Sequence, residues 1–184
     1  MSKCPALILT NCTNRKRGVV SDRLQARSLP RATYLEVSRE WVRRIEAAPR
    51  VSTADRVYCG RAVTETLNSA RILSAEVAFL SAGLGVVRCD ERVPVYNLTS
   101  SPGMPDSIDR RLTEPYSATL WWTALLQARK RIGAVARLID GCGPALILVV
   151  LPASYLHMVH PEEGTELLRQ VNELLGSEPE EPTP

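Results

Sequence analysis

Residues 11–17, NCTNRKR, place one thiol and three consecutive cations directly after a short apolar run. Backbone amides, the hydroxyl of Thr13 and cationic side chains can together hold a phosphate, because donors and positive charge both favour an anion. The glycines and the GK[ST] ending of a P-loop are missing. We therefore predict an anion site with Thr13, Asn14 and Arg15 as ligand-binding residues, and a solvated basic turn is the alternative.

Two members of this stretch are candidate catalytic residues. Neighbouring cations favour the thiolate form of a cysteine, which points to Cys12 as a nucleophile. A lysine that is partly removed from water can serve as a nucleophile or as a proton donor, which points to Lys16. The alternative for Cys12 is a buried residue that only packs at the end of a strand.

A second stretch, FLSAGLGVV, places a serine and two glycines after an apolar run. Gly83 and Gly85 permit backbone conformations closed to other residues, so a ligand can approach the main chain closely. We predict Ser81, Gly83 and Gly85 as ligand-binding residues. The spacing matches neither the dinucleotide GxGxxG nor the GxSxG turn of hydrolases, and a tight connection without a ligand is the alternative.

The third stretch, CDERVPVYNLTSSPGMP, contains the candidates for acid–base chemistry. Asp90 or its neighbour Glu91 could move protons, and Tyr96 could stack on a base or bond to it. We assign Asp90 a catalytic role and Tyr96 a ligand-binding role, in a segment that could form a lid. The alternative is that Val93 and Val95 pack this segment onto the core together with Tyr96.

The fourth stretch, LPASYLHMVHP, holds both histidines of the chain. Ser154 and Tyr155 follow an apolar run, and Ser154 is predicted to bind ligand. His157 and His160 lie three residues apart and would share a helix face, but two histidines without a third ligand predict no metal site. No pattern indicates a particular cofactor.

Alternating apolar runs and amphipathic stretches must position these residues. Strands are predicted at 6–10, 56–58, 76–80 and 145–151, helices at 31–48, 62–73, 117–139 and 161–175, and a long irregular stretch at 86–117. This order predicts an α/β fold, a three-layer Rossmann-like domain with a mainly parallel sheet. Ligands bind at the carboxyl ends of such strands, so segments 11–18, 81–99 and 152–160 should share one edge.

The composition is that of a globular protein, with 45% hydrophobic residues in 184. We predict a single α/β domain at residues 1–176 and a disordered acidic tail at 177–184. No apolar run reaches the ~18 residues of a spanning helix, so no membrane partner is expected. The five cysteines are widely spread, which favours reduced thiols in the cytoplasm.

Charge is unevenly distributed along the chain. Residues 1–50 contain eleven Lys or Arg against four Asp or Glu, a net charge of +7. Residues 161–184 contain one Arg against seven Glu, a net charge of −6. The basic part could face phosphates or pair with the acidic part, and the sequence leaves both open.

Five segments in order, NCTNRK, RATYLEVSREW, YCGRA, FLSAGLGVV and ERVPVYNLT, resemble a family of bacterial and phage α/β domains of unknown function. That family is related to the YaaA-like proteins and to the core of archaeosine synthase, whose neighbours handle 7-deazaguanine bases in tRNA and DNA. The resemblance covers roughly residues 5–100. It implies functional roles at five positions: Cys12, Lys16, Ser81, Gly85 and Tyr96.

The resemblance also implies a function. The expected protein is a nucleotide- or nucleobase-handling enzyme, linked to 7-deazaguanine modification of nucleic acid or to phage defence, with its anion site after the first strand. Its partners would be a nucleotide, a nucleobase or nucleic acid, and a protein from the same operon. The alternative is a non-catalytic, nucleotide-sensing or structural subunit of a defence or modification complex.

Overall fold

A computed structural model describes residues 5–159. Its strands are β1 (Ala6–Asn11), β2 (Ser52–Thr53), β3 (Ala75–Ser81), β4 (Gly85–Arg88), β5 (Arg92–Val93) and β6 (Leu146–Val150). Its α-helices are α1 (Tyr34–Ala47), α2 (Ala54–Val57), α3 (Arg61–Leu73), α4 (Ala118–Ala128), α5 (Ala134–Cys142) and α6 (Ala153–Met158). Single 3-10 turns lie at Asp22–Leu24, Ala26–Ser28 and Ile108–Arg111.

Four strands form the main sheet, in the order β4-β3-β1-β6. β1 pairs in parallel with β3 and β6, and β4 pairs antiparallel with β3. The apolar residues 6–9 suit the central position of β1, because a strand covered on both faces needs apolar side chains on both. The α/β class and the mainly parallel sheet are therefore confirmed. The register brings the carboxyl ends of β1, β3 and β6 to one edge of the sheet.

Helix α1 is encoded by its periodicity and by its first turn. The Thr33 side chain accepts from the Glu36 backbone while the Glu36 carboxylate accepts from the Thr33 backbone, which satisfies amides left free at a helix start. The predicted apolar stripe is buried, including Val37, Trp41 and Ile45. The helix predicted at 31–48 is confirmed, and its buried face packs against α4.

Two predicted elements differ in the structure. Residues 56–58 were predicted as a strand, but Val57 ends the single turn of α2, because the Tyr58 amide donates to the Ala54 carbonyl at 2.9 Å. The irregular stretch predicted at 86–117 begins instead with β4, which folds back on β3 after Gly85 adopts φ +72°. The three residues 56–58, RVY, are too few to separate a strand from a helical turn.

The helical block predicted at 117–139 is two helices, α4 and α5. The chain leaves α4 through Lys130 at φ 54° and enters α5 after Gly133 at φ 71°, and both values belong to the left-handed region that breaks a helix. Ile72, near the end of α3, is 83% exposed. The predicted helix 161–175 and tail 177–184 lie outside the described residues.

Within residues 5–159, every helix is too short or too polar to span a membrane.

Candidate functional site

A buried hydroxyl network lies at the carboxyl edge of the sheet. The Tyr96 hydroxyl is 2.5 Å from the Ser81 Oγ and 3.0 Å from the Tyr58 hydroxyl. All three side chains are inaccessible to solvent or nearly so. Burial raises the pKa of Tyr96 and of Tyr58 above the ordinary value of a phenol. Both tyrosines are therefore neutral at physiological pH and act as hydrogen-bond donors and acceptors.

The turn between β3 and β4 holds this network in place. The Ser81 Oγ accepts from the backbone amides of Gly83 at 3.3 Å and Leu84 at 3.1 Å. A Cβ at Gly83 would lie 2.4 Å from the Tyr96 ring, so only glycine allows the turn to pack against that ring. The Trp41 indole donates to the Gly83 carbonyl at 2.7 Å. Ser81 and Gly83 thus position Tyr96 from inside the protein.

Cys12 lies under the edge of the sheet. Its backbone amide donates to the Leu80 carbonyl at 2.9 Å, which extends the pairing of β1 with β3 by one residue. Its Sγ is 3.5 Å from the Tyr155 hydroxyl and 3.9 Å from the Tyr96 hydroxyl. The residue is only 5% exposed. The thiol is therefore enclosed by phenols from two different elements, with little contact with solvent.

Lys16 lies above the same network. Its Nζ donates to the Thr13 carbonyl at 2.9 Å and is 4.4 Å from the centroid of the Tyr96 ring. Burial lowers the pKa of Lys16, and the influence of Cys12, Cys59 and Asp106, which raises it, opposes this only in part. A lysine in this state has a larger neutral fraction near pH 7, and a neutral amine is the nucleophilic form.

A pocket of about 320 Å³ opens beside Lys16. It is lined by residues of three chain segments: Asn14, Lys16, Arg27, Asn97, Leu98, Thr99, Met104, Pro105 and Asp106. The segments meet because the Ala26 amide donates to the Asn97 carbonyl at 2.7 Å and the Asn97 amide donates to the Leu24 carbonyl at 2.8 Å. The volume lies at the lower end of the range for small-molecule sites.

Asp106 and Arg27 face each other at this pocket. An Asp106 carboxylate oxygen accepts from the Arg27 backbone amide at 3.2 Å and lies 3.8 Å from the Arg27 Nε. The Asp106 side chain is 17% exposed and that of Arg27 is 57% exposed. An ion pair this exposed is weak, and the Arg27 guanidinium also donates to the Gln25 Oε1, so its remaining donors are the ones that an anionic ligand could use.

The structure brings most of the predicted site residues to one region. Asn14 and Lys16 line the pocket, while Cys12, Ser81 and Tyr96 lie beneath it. Gly83 and Gly85 form the turn that supports Tyr96. The Thr13 hydroxyl is turned inward, 2.7 Å from the Arg15 carbonyl and 2.9 Å from the Cys59 carbonyl, and the Arg15 side chain is exposed.

Of the eleven predicted site residues, only Asn14 and Lys16 line the pocket. Asp90 follows β4 at the opposite edge of the sheet, where it is exposed and 3.5 Å from the Arg88 guanidinium. Asp90 lies at that edge because β4 runs antiparallel to β3, which carries the chain away from the carboxyl ends of β1, β3 and β6. Ser154 is exposed on α6, and its neighbour Tyr155 is the residue that reaches Cys12.

Seven of the residues that line the pocket are not among the predicted site residues, and four of these are polar: Arg27, Asn97, Thr99 and Asp106. Asn97 and Thr99 follow Tyr96 closely, so the proximity of a predicted ligand-binding residue was a usable signal. The sequence contains no such signal for Arg27 or Asp106, because both residues reach the pocket through contacts between loops. Among residues 5–159, no three His, Cys, Asp or Glu side chains are grouped as a metal site requires.

Comparisons with known proteins give no match to any protein-family model, any curated protein or any solved structure.

Proposed function

We propose that this chain is an enzyme that acts on a nucleotide or nucleobase, with Lys16 as its nucleophile. The observation that carries the proposal is the position of Lys16. Its amine lines the pocket, lies on the face of the Tyr96 ring, and has its pKa lowered by burial. Cys12, the other candidate nucleophile, is buried beneath the pocket and does not line it.

The groups around Lys16 support a ligand with a base and an anion. Asn14 and Asn97 each carry a donor and an acceptor, the combination that reads the edge of a base. Arg27 is exposed enough to bind a phosphate through its planar donor face. The phosphate is assigned to Arg27 because a lysine that holds a phosphate stays charged and is a poor nucleophile.

Acid–base chemistry in this proposal belongs to Asp106. It is the one carboxylate among the side chains that line this pocket in the described part of the chain. Its negative charge acts on Lys16. In this proposal the Lys16 amine forms a bond to an electrophilic carbon of the ligand, the group on that carbon departs with its bonding electrons, and Asp106 takes up, by way of water, the proton that the amine loses.

Several broader features belong to the same proposal. We place the enzyme in 7-deazaguanine modification of nucleic acid or in phage defence, on the motif resemblance, with a protein partner from the same operon. The parallel arrangement of β1, β3 and β6 supports a three-layer Rossmann-like domain. Cys12, Cys59 and Cys89 are free thiols, which supports the cytoplasm as its location.

A second candidate is a non-catalytic nucleotide sensor. The enclosed positions of Cys12, Ser81 and Tyr96 favour it, because these three family-motif residues support the pocket without opening onto it. A sensor would bind the same ligands and would leave Lys16 chemically unchanged.

The first experiment is calorimetric titration of the full chain with nucleoside monophosphates and with ribose 5-phosphate. We expect Arg27→Gln to weaken nucleotide binding by about tenfold, the effect of losing one charged hydrogen bond of about 1.4 kcal/mol. Arg23→Gln is the matched control, since Arg23 is exposed on the same loop and does not line the pocket.

The second measurement follows acetylation of Lys16 by mass spectrometry near pH 7. We expect bound nucleotide to protect Lys16 and to leave the exposed Lys130 unaffected. Absence of nucleotide binding would refute both candidate functions. Binding without protection of Lys16 would refute the role of this amine.

A further inference from the structure

Four arginines from three segments of the chain meet beside β4. One follows α1, one lies in β5 and two follow α4, and together we call them the arginine cluster: Arg50, Arg92, Arg129 and Arg131. The Arg50 Nη1 donates to the Arg92 carbonyl at 3.1 Å, and the Arg92 Nη2 donates to the Arg50 carbonyl at 3.0 Å. The Arg131 Nη1 lies 3.5 Å from the Val86 carbonyl of β4. Contacts with the main chain thus hold these side chains next to one another.

Glu91 joins two members of the arginine cluster. Its Oε1 lies 3.7 Å from the Arg50 Nη1 and 3.7 Å from the Arg131 Nη1. Both distances are longer than a hydrogen bond, so the two ion pairs are weak. Within residues 5–159, Glu91 is the one carboxylate that lies within 4.0 Å of a guanidinium group of the cluster. Two guanidinium groups therefore converge on one oxygen anion that they hold only loosely.

Arg129 lies among the like charges of its neighbours. Burial lowers the pKa of Arg129, and the positive charges of Arg131 and Arg50 lower it further. Glu91 and Glu46 act in the opposite direction. The cluster thus carries more positive charge than these two carboxylates balance, and such a surface attracts anions.

The exposure of the cluster and the charge of the chain indicate which anion it binds. The Arg50 and Arg131 side chains are 44% and 38% exposed, whereas small phosphate ligands are held in concave sites. Residues 5–159 contain 21 Lys or Arg against 13 Asp or Glu, a net charge of +8. A body this basic favours the anion of highest charge density, and duplex DNA carries one negative charge per about 1.7 Å of its axis. The surface therefore fits a nucleic-acid backbone better than an acidic peptide.

We propose that the arginine cluster binds the phosphate backbone of nucleic acid. Arginine suits this role because its planar group of donors matches two phosphate oxygens at once. Arg50 and Arg131 already converge on one carboxylate oxygen, so a phosphate can take the place that Glu91 holds. The cluster lies outside the lining of the pocket, so this binding does not depend on Lys16 or on the proposed function.

Fluorescence anisotropy of a labelled DNA duplex of about 20 base pairs, titrated with the full chain, tests this contact. The variant R50Q/R131Q should bind about tenfold more weakly than the unaltered chain near 0.1 M salt, the effect of losing two exposed charge contacts. The slope of log Kd against log salt concentration should become shallower by about 1.8, because each lost phosphate contact removes about 0.9.

A matched control variant, R31Q/R39Q, removes the same two charges from exposed positions. Arg31 precedes α1 and Arg39 lies in its first half, whereas Arg50 follows its end. This variant should weaken duplex binding by less than about twofold, since salt screens charges that lie outside the contact. A loss as large as that of R50Q/R131Q would overturn the assignment to the cluster.

Glu91→Gln provides a test with the opposite sign. It removes the one carboxylate that Arg50 and Arg131 share, so it should tighten duplex binding by about threefold, a gain that damage to the fold cannot produce. Both R50Q/R131Q and E91Q should bind nucleoside monophosphates like the unaltered chain, so failure at the pocket and failure at the cluster are distinguishable.

Two results would overturn the proposal. One is duplex binding that neither R50Q/R131Q nor E91Q changes. The other is competition by polyglutamate that equals competition by unlabelled duplex at the same concentration of charge, which would assign the cluster to an acidic protein instead.

Discussion

Removing one hydroxyl at the centre of the buried network is the sharpest test of the site. Tyr96→Phe keeps the aromatic ring, so its edge contact with Trp41 at 5.9 Å between centroids and its contact with Lys16 remain. The hydrogen bonds to the Ser81 Oγ and the Tyr58 hydroxyl are lost, at 2.5 and 3.0 Å, together with the longer one to the Cys12 Sγ at 3.9 Å. The variant therefore isolates the polar part of the network.

The magnitude follows from the burial of the partners. A hydrogen bond contributes about 1 kcal/mol net, and a buried partner left unsatisfied costs about 1–3 kcal/mol. Ser81 keeps two backbone donors after the change, so most of the loss falls on the Tyr58 hydroxyl. We expect the free energy of unfolding to fall by about 2 kcal/mol, and the melting temperature by about 6 °C for a chain of this size.

The assay is urea unfolding followed by tryptophan fluorescence, with Tyr116→Phe as the control. The Tyr116 hydroxyl makes one bond, to the Ser100 carbonyl at 2.6 Å, and its side chain is only half-buried, so we expect a loss of about 1 kcal/mol. A loss at Tyr96 no larger than that at Tyr116 would refute the argument that a connected, buried network supports Lys16.

Three further predictions concern the same fold. Gly83→Ala should destabilise the protein by about 1–3 kcal/mol in urea unfolding, because the added methyl would lie 2.4 Å from the Tyr96 ring; an unchanged midpoint would mean that the turn moves freely. Trp41→Phe should cost at least about 1 kcal/mol, since it leaves the buried Gly83 carbonyl without its indole donor; recovery of wild-type stability would contradict this. Bonds from two arginines lower the pKa of Glu40 from 4.5 to about 2, so its contribution to stability is present above pH 4.5 and is lost as the pH falls toward 2. Glu40→Gln should therefore flatten the fall of the urea midpoint over that range, and an unaltered slope would count against the pKa shift.

Local patterns in the sequence were sufficient for the central elements of the fold. The uninterrupted apolar run of β1 predicted a strand buried on both faces, and the spacing of Val37, Trp41 and Ile45 predicted the buried face of α1. These features depend on residues that are near neighbours in the chain, so periodicity reports them directly. Residues 56–58 offered no such repeat, and the strand predicted there is a helical turn.

The sequence by itself determined which chemical groups lie at the carboxyl edge, because parallel strands bring their following loops together. Cys12, Lys16, Ser81 and Tyr96 are therefore candidates from the sequence alone. Only the tertiary structure separated the lysine that lines the pocket from the thiol that lies beneath it. It also brought Asp106 to the pocket and carried Asp90 to the opposite edge. Both outcomes depend on the reversal at Gly85 and on loop pairings between distant residues, and such long-range contacts leave no periodic trace in a sequence.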